Sequence, residues 1–115
     1  MKLAEIVDEL DLKVRTAGGA LERVVSGGYA SDLLSDVIAH AATDYLWVTL
    51  QIHQNIVAVA SLKELAGIVL VNGREPEEAT VERAESENIP IMVSVLPAFD
   101  VVGKLYELGI TGGKD

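Results

Sequence analysis

Apolar residues recur along this chain at two spacings, one typical of amphipathic helices and one typical of buried strands. The segment 3–10 places apolar residues at i, i+3, i+4 and i+7, which predicts a short helix. The segment 12–16 alternates apolar and polar residues and predicts a half-buried strand. After a glycine break, residues 23–25 are predicted to form a second strand, which Ser26-Gly27-Gly28 would end.

The middle of the chain predicts a helix, a strand and another helix. Ser31 is a good N-cap, and Asp32 would lie in the first turn, where the helix dipole favours an acid. The apolar face of this helix would consist of Leu33, Leu34, Val37, Ile38 and Ala41. The apolar run 45–50 predicts a buried strand. The segment 55–64 contains β-branched residues, but the alternation of elements favours a helix, which we predict because propensity is a weak prior.

Two further strands are separated by a turn and a helix. The run 67–71 predicts a strongly buried strand, and Asn72-Gly73 is a typical turn pair. Pro76 suits the first position of a helix, which would run to about Glu87. The apolar segment 91–93 predicts the last strand.

The last predicted helix opens at Pro97 and ends at Gly109, since glycine is the usual residue just beyond a helix C-terminus. Its inward face would consist of Phe99, Val102, Leu105 and Tyr106. The tail 111–115 is expected to fray.

This order of elements predicts one α/β domain over residues 1–115. Continuous apolar strands between amphipathic helices indicate a layered fold, with a mixed, mostly parallel β-sheet and helices on both faces. The early strands, which glycines interrupt, predict an antiparallel edge. A chain of 115 residues buries only a modest core, so self-association would be a natural supplement.

Composition narrows the possible partners. The chain has 9 Lys and Arg against 18 Asp and Glu, a net charge of −9, which repels nucleic-acid phosphates and anionic membrane surfaces. We therefore expect neither nucleic acid nor membrane as a partner. The absence of cysteine excludes disulfides and thiolate chemistry. It fits a cytoplasmic location, as does an N-terminus that carries acids within its apolar pattern.

Polar residues follow two of the predicted buried strands. They are Thr49, Gln51, His53 and Asn55 after the first strand, and Asn72, Gly73 and Arg74 after the second. In open α/β sheets, ligands collect at the carboxyl ends of the strands. If the two strands are neighbours, these residues share a rim that suits a small polar ligand, such as a nucleotide or a phosphorylated metabolite. The alternative is that they are only helix caps and turn residues.

Catalytic and metal sites find little support. Ser31 and Ser35 have no obvious base in the sequence, although His40 or His53 could approach in space. Asp32 and Asp36 could share a cation if both lie on one helix face, but such acids are more often solvated. The stretch SGGYASD could cradle a phosphate, yet it lacks P-loop spacing, and a backbone requirement for its glycines is favoured. We predict no cofactor, no metal and no enzymatic activity.

The segments ERVVSGGYASDLLSDV, TLQIHQNIVAVA and VNGREP together resemble the DRTGG domain family, in order and spacing, over nearly the whole chain. Glu22 stands where the family has Asp, and Ser26 stands where it has Thr. The motif positions and the residues that follow them are Arg23, Ser26, Gly27, Gly28, Ser31 and Asp32. The resemblance implies a fold similar to the N-terminal domain of HPr kinase/phosphatase.

The resemblance also implies a regulatory role. DRTGG domains occur beside paired CBS domains in regulated inorganic pyrophosphatases and beside phosphate acetyltransferase catalytic domains. They are not the catalytic parts of these proteins. Members of the family also suggest that the domain self-associates. The chain is therefore expected to be a free-standing, homodimeric regulatory module that senses a small ligand such as an adenine nucleotide. The alternative is a pure protein–protein interaction or dimerisation domain, for which an exposed Tyr45 or Trp47 would argue. The apolar run that contains these two aromatic residues favours their burial.

Overall fold

The chain forms a five-stranded sheet between two layers of helices. The computed structural model describes residues 1–113. The helices are α1 (Leu3–Glu9), α2 (Leu34–His40), α3 (Asn55–Lys63), α4 (Glu78–Ser86) and α5 (Ala98–Glu107), and the strands are β1 (Lys13–Val14), β2 (Gly27–Ala30), β3 (Tyr45–Thr49), β4 (Gly67–Leu70) and β5 (Ile91–Val93). Within these described residues, every helix is too short or too polar to cross a membrane.

The strand order is β1-β5-β4-β3-β2. Strands β2 to β5 are parallel, with Leu46 opposite Gly67 and Ile68 opposite Ile91. Strand β1 pairs antiparallel with β5, so the predicted antiparallel edge is confirmed. The predicted fold class, a mostly parallel mixed sheet with helices on both faces, is confirmed as well.

Two apolar clusters lie on opposite faces of the sheet. Side chains alternate along β3, so Tyr45 and Trp47 pack with α2, α3 and α4, whereas Leu46 and Val48 pack with α1 and α5. All residues of β3, β4 and β5 are buried. Because both faces are covered, these strands are apolar without interruption, which is why the sequence predicts them well. Trp47 is fully buried, in agreement with the preferred expectation for this residue.

The prediction for the second strand is wrong. Val24 makes only an isolated bridge to Lys2, and the strand consists instead of the glycines expected to end it and the two residues after them. A Cβ atom at Gly27 would lie 2.9 Å from Cε1 of Tyr45 and 3.2 Å from the carbonyl oxygen of Thr111. The glycine therefore allows β2 to approach neighbours that are distant in the sequence.

The start of α2 also differs from the prediction. The helix begins at Leu34, with Leu33 at the N-cap position and no side-chain cap. Ser31 Oγ instead accepts a hydrogen bond from the Leu33 amide at 3.1 Å, so it stabilises the turn before the helix. Of the predicted apolar face, Val37 and Ala41 are buried and Leu34 is partly buried, whereas Leu33 and Ile38 are exposed.

The inward face of α5 is predicted only in part. Leu105 is buried, together with Val101, whereas Phe99 is 90% exposed, Tyr106 is 63% exposed and Val102 also faces outward. Apolar residues occur on both sides of this helix, so periodicity alone cannot decide which side packs against the sheet. Packing against β3 selected the side of Val101 and Leu105.

Helices α1 and α3 form where the sequence predicts them, and α4 begins at Glu78, two residues after Pro76. The predicted turn has left-handed backbone at Asn72 (φ 58°) and Gly73 (φ 66°). The tail that was expected to fray is hydrogen bonded where it is described. The carbonyl of Thr111 accepts from the Gly28 amide at 2.7 Å, and that of Gly112 accepts from the Tyr45 hydroxyl at 2.8 Å. Residues 114 and 115 lie outside the described residues.

The close approach at Gly27 predicts different costs for two adjacent glycines. Gly27→Ala should destabilise the protein by about 1–3 kcal/mol, because the new methyl group meets the buried Tyr45 ring. Gly28→Ala is the matched control, since its Cβ would meet its nearest neighbours at 3.5 Å, an ordinary contact. Urea unfolding of the two variants measures the difference. Equal stabilities of the two variants would contradict the assigned packing.

Candidate functional site

The polar segments that follow β3 and β4 lie side by side. The two strands are adjacent and parallel, with Thr49 opposite Leu70, so their carboxyl ends meet at one edge of the sheet. Strand β2 pairs with β3 in the same direction, which brings Ser31 and Asp32 to this edge as well. The rim that the sequence predicts therefore exists as a geometric feature, and it extends over three strand ends.

A single carboxylate joins the ends of β2 and β3. Asp32 Oδ1 accepts hydrogen bonds from Thr49 Oγ1 at 2.8 Å and from the Leu50 amide at 2.7 Å. The backbone carbonyl of Asp32 accepts a third bond, from Gln51 Nε2, at 3.0 Å. We call these three bonds the Asp32 clamp. The buried Trp47 adds a bond from Nε1 to the Ser31 carbonyl at 2.8 Å, so the backbone just beyond β2 is held at two successive residues.

A depression of about 200 Å³ lies beside the clamp, between the three strand ends and the start of α5. Its lining residues are Ala30, Ser31, Asp32, Val48, Thr49, Leu50, Val71, Asn72 and Ala98. Its apolar residues offer contact to a flat or apolar group, and its polar residues offer hydroxyl, carboxylate and amide groups. Pockets for whole small-molecule ligands measure about 300–1,000 Å³, so this depression suits one moiety of a larger ligand.

The turn after β4 is fixed to the loop after β5. The Asn72 amide donates to the Leu96 carbonyl and the Gly73 amide to the Ser94 carbonyl, both at 2.8 Å. These two backbone donors are therefore already used within the protein. The Asn72 residue still lines the depression, whereas Gly73 does not.

Four other predicted site residues lie outside the depression. Arg74 is exposed and donates from one guanidinium nitrogen to the Leu50 carbonyl at 3.0 Å. His53 is exposed, with Nε2 at 3.9 Å from Glu77 Oε1. Gln51 belongs to the clamp, and Asn55 is the exposed first residue of α3. Thus the structure brings Thr49 and Asn72 together in one concave surface and leaves the remaining predicted residues around it.

The charged side chains near this rim differ in whether another side chain of the protein already pairs with them. Arg15 forms a two-point ion pair with Glu75, with nitrogen–oxygen distances of 2.7 and 2.8 Å. This hydrogen bonding holds the pKa of the Glu75 carboxyl below its usual range and raises the pKa of Arg15. The neighbouring Arg74 takes part in none of the ion pairs of residues 1–113. Arg74 is therefore the cation at this rim that can meet an anionic ligand.

The residues of the DRTGG-like motif divide between the two ends of β2. Arg23 binds Asp44 Oδ1 at 2.6 Å and the Leu65 carbonyl at 3.0 Å, and Ser26 Oγ donates to the Thr43 carbonyl at 3.0 Å. These residues, with Gly27 and Gly28, lie at or near the amino end of β2, away from the depression. Their contacts are structural, which favours the backbone explanation over a phosphate cradle. Ser31 and Asp32 lie at the other end, in the rim.

A polar cluster on α2 was missed by sequence reasoning. The Tyr29 hydroxyl donates to Asp36 Oδ2 at 2.9 Å, and His40 Nδ1 lies 3.0 Å from Asp36 Oδ1. The tyrosine hydrogen bond is the main cause that lowers the pKa of Asp36, and the same contact raises the pKa of Tyr29. Asp36 is thus bonded to Tyr29 and His40, whereas the Asp32 carboxylate is bonded to Thr49 and Leu50. The described hydrogen bonds include none from either histidine to Ser31 or Ser35.

The remaining residues of the depression were also absent from the prediction. Val48, Val71 and Ala98 contribute apolar surface, and no polar pattern marks them in the sequence. The position of Val71 just after β4 is a usable signal, because the strand end defines the rim. Ala98 belongs to a distant helix, so only the fold reveals its contribution.

The Asp32 clamp predicts a specific loss of stability. Asp32→Ala should cost about 1–2 kcal/mol, because the buried Thr49 hydroxyl and the Leu50 amide lose their acceptor. Asp32→Asn should cost less, since an amide oxygen can still accept. Asp8→Ala, at an exposed position on α1, is the control and should change stability by less than about 0.5 kcal/mol. Urea unfolding checks all three, and an Asp32→Ala variant as stable as the Asp8→Ala control would exclude the clamp.

Comparisons with known proteins support the fold. No protein-family model matches the sequence, and no curated protein matches it either. Among solved structures, the chain is similar to the CBS and DRTGG domains of the regulatory region of Clostridium perfringens pyrophosphatase, complexed with the activator diadenosine tetraphosphate. The TM-score is 0.66 at 12% identity, and the match covers 86% of this chain and 43% of that one. This likeness supports a DRTGG-like fold, as the motif resemblance implied.

Proposed function

We propose that this protein is a non-catalytic regulatory module that binds a small ligand, such as an adenine nucleotide, in the depression at the carboxyl ends of β2, β3 and β4. The observation that carries the proposal is the position of this concave, partly polar surface at the strand ends, where α/β sheets hold their ligands. The clamp of Asp32 holds the surface in shape before any ligand arrives, which lowers the entropic cost of binding.

The chemistry of the rim suits a nucleotide in two parts. The depression has the size of a single moiety, and its mixed lining can contact a heterocycle while hydrogen bonding its edge or a ribose. Arg74 and His53 lie outside the depression, where phosphates could extend toward solvent. A net charge of −9 opposes anionic ligands at long range, so we expect the local contacts with Arg74 to determine phosphate binding.

The structural similarity favours the same class of ligand. The similar pyrophosphatase region is regulatory and was solved with diadenosine tetraphosphate as an activator. At 12% identity that likeness extends to the fold, so the nucleotide is a hypothesis for this chain. A regulatory role also fits the polar side chains of the rim, most of which are bonded to other parts of the protein and are not paired as nucleophile and base.

Self-association forms part of the proposal. A second candidate function, a pure interaction or dimerisation domain, is favoured by exposed aromatic side chains on α5. It differs in predicting no small ligand. Tyr45 and Trp47 do not contribute to this second candidate, because both are buried.

The proposal predicts a ligand-dependent rise in thermal stability. The panel comprises ATP, AMP, GTP, diadenosine tetraphosphate and inorganic phosphate. At about one hundred times its Kd, a true ligand adds about 2.7 kcal/mol to the unfolding free energy, which raises Tm by several degrees for a domain of this size. Differential scanning fluorimetry measures the shift. No shift with any member of the panel at millimolar concentration would reject the nucleotide-binding function.

Variants then locate the ligand. Ala98→Phe fills the depression from an exposed helix position, and Asn72→Gly removes an amide without straining the left-handed backbone. Both should reduce the ligand shift by at least half while leaving the unliganded Tm within about 2 °C. His53→Ala with Arg74→Ala is the matched pair outside the depression and should weaken ligands with several phosphates, such as ATP, more than it weakens AMP. If Ala98→Phe binds as well as the native chain, the site is elsewhere.

A further inference from the structure

A second concave surface lies beside the depression, between β2 and the carboxyl half of α5. Its volume is about 180 Å³, and its exposed surface is almost wholly apolar. We call this surface the apolar groove. The side chains that line it include Ala30, Val48, Val102, Leu105, Tyr106 and Ile110.

The groove exists because β2 carries small residues on this face and lies at the side of α5. Gly28 and Ala30 both face α5, since alternate residues of a strand share a face. Tyr29, between them, faces the other side, where its hydroxyl donates to Asp36. Helix α5 itself packs over β3, the neighbouring strand. A hydrogen atom and a methyl group on β2 therefore leave open a space that larger side chains would fill.

The groove offers few polar groups to a ligand. The Gly28 amide already donates to the Thr111 carbonyl at 2.7 Å, and the Gly112 carbonyl accepts from the Tyr45 hydroxyl at 2.8 Å. A sugar or a phosphate in the groove would lose hydrogen bonds with water and gain few in return. An apolar group would instead displace loosely held water, which favours its binding.

The size of the groove indicates which apolar group fits. An enclosed apolar cavity of about 150 Å³ is large enough to bind benzene. The apolar groove is slightly larger and is open on one side, so it can hold about six carbon atoms that remain attached to a larger molecule. A single aromatic ring or a short acyl chain has this size. Tyr106, which is 63% exposed, provides one wall that an aromatic ring can contact.

The apolar groove and the depression share two lining residues, Ala30 and Val48. Each is smaller than the pockets of about 300–1,000 Å³ that hold whole small-molecule ligands, but the two together exceed the lower end of that range. Their polarity changes in one direction. The apolar groove comes first, followed by the hydroxyl, carboxylate and amide groups of the depression, and then by the guanidinium of Arg74 outside it.

We propose that the apolar groove is a second subsite of the ligand site, which takes an apolar group of a ligand whose polar part lies in the depression. The ligand is then a nucleotide that carries an aromatic ring or a short acyl chain, whereas a plain nucleotide fills the depression alone. The inference rests on the proposed function for the polar part of the ligand. The affinity of the groove for an apolar group does not depend on that function.

Benzyl alcohol, which presents one phenyl ring, tests the groove on the full chain. Titrated at millimolar concentration into the ¹⁵N-labelled protein, it should give saturable amide shifts centred on Ala30, Val102 and Tyr106, because these residues line the groove. Asn72, which lines only the depression, should shift little. Shifts that do not saturate, or that centre on other residues, would overturn the proposal.

Variants of α5 assign the binding to the groove. Val102→Phe fills the groove from an exposed helix position and should weaken benzyl alcohol binding at least about tenfold, because the new ring takes the place of the probe. Leu62→Phe is the matched control, since Leu62 is 67% exposed on α3 and lies outside the groove, and it should bind as the native chain does. Native affinity in the Val102→Phe variant, or an equal loss in both variants, would overturn the proposal.

A third variant keeps the proposal testable if Val102→Phe fails to fold. Tyr106→Ala removes one wall of the groove at an exposed position, and it should weaken benzyl alcohol binding about twofold to tenfold. A folded Tyr106→Ala chain that binds benzyl alcohol with native affinity would contradict the groove.

AMP then tests whether the two subsites belong to one ligand. With AMP in the depression, benzyl alcohol should keep its affinity, and nuclear Overhauser effects should connect its ring protons to protons of AMP, because the subsites share a wall. Displacement of benzyl alcohol by AMP, or joint binding without these effects, would overturn the shared site. If AMP does not bind while benzyl alcohol still shifts the groove residues, the proposed nucleotide function fails and the apolar subsite stands.

Discussion

The structure depends on one constraint: a parallel sheet covered by helices on both faces admits almost no polar side chain except near the strand ends. Strands β3, β4 and β5 are buried throughout. Because successive side chains of a strand point to opposite faces of the sheet, each strand contributes residues to both apolar clusters. The buried polar residues of the described chain are Thr16, Thr49, Thr80 and Ser94. Each of them is hydrogen bonded, and none lies in the middle of a strand. Polar groups that could contact a ligand therefore lie near the ends of the strands.

The two ends of β2 make different kinds of contact. At the amino end of β2, Arg23 and Ser26 bind backbone carbonyls and Asp44, and Gly27 allows the strand to approach Tyr45 and Thr111. These contacts position the strand, and they explain a glycine motif without any bound phosphate. At the carboxyl end, the Asp32 clamp holds an open concave surface. Arg23, Ser26, Gly27 and Gly28 are thus separated from the candidate site by the length of β2, whereas Ser31 and Asp32, which follow the motif, belong to that site.

Several elements could be predicted from the sequence because their signals are local. The strands β3, β4 and β5 are continuous apolar runs, and Thr49 and Asn72 could be placed in the rim because they end or directly follow such runs. Strand β2 could not, since its need for glycine comes from residues far along the chain. The orientation of α5 was also hidden, because both of its sides are apolar. Ala98 lines the depression only because of the way α5 packs, so no local sequence pattern predicts its contribution.

The central claim is that a ligand binds at the carboxyl ends of the strands and not at their amino ends. Amide chemical-shift mapping tests this claim most directly. Diadenosine tetraphosphate is titrated into the ¹⁵N-labelled protein, and the two-dimensional amide spectrum is followed. The account predicts saturable shifts centred on the amides of Asp32, Leu50 and Asn72, with residues 23–28 unchanged. Shifts centred on Gly27 and Gly28, with the carboxyl edge unaffected, would contradict the account and return the site to the glycine motif.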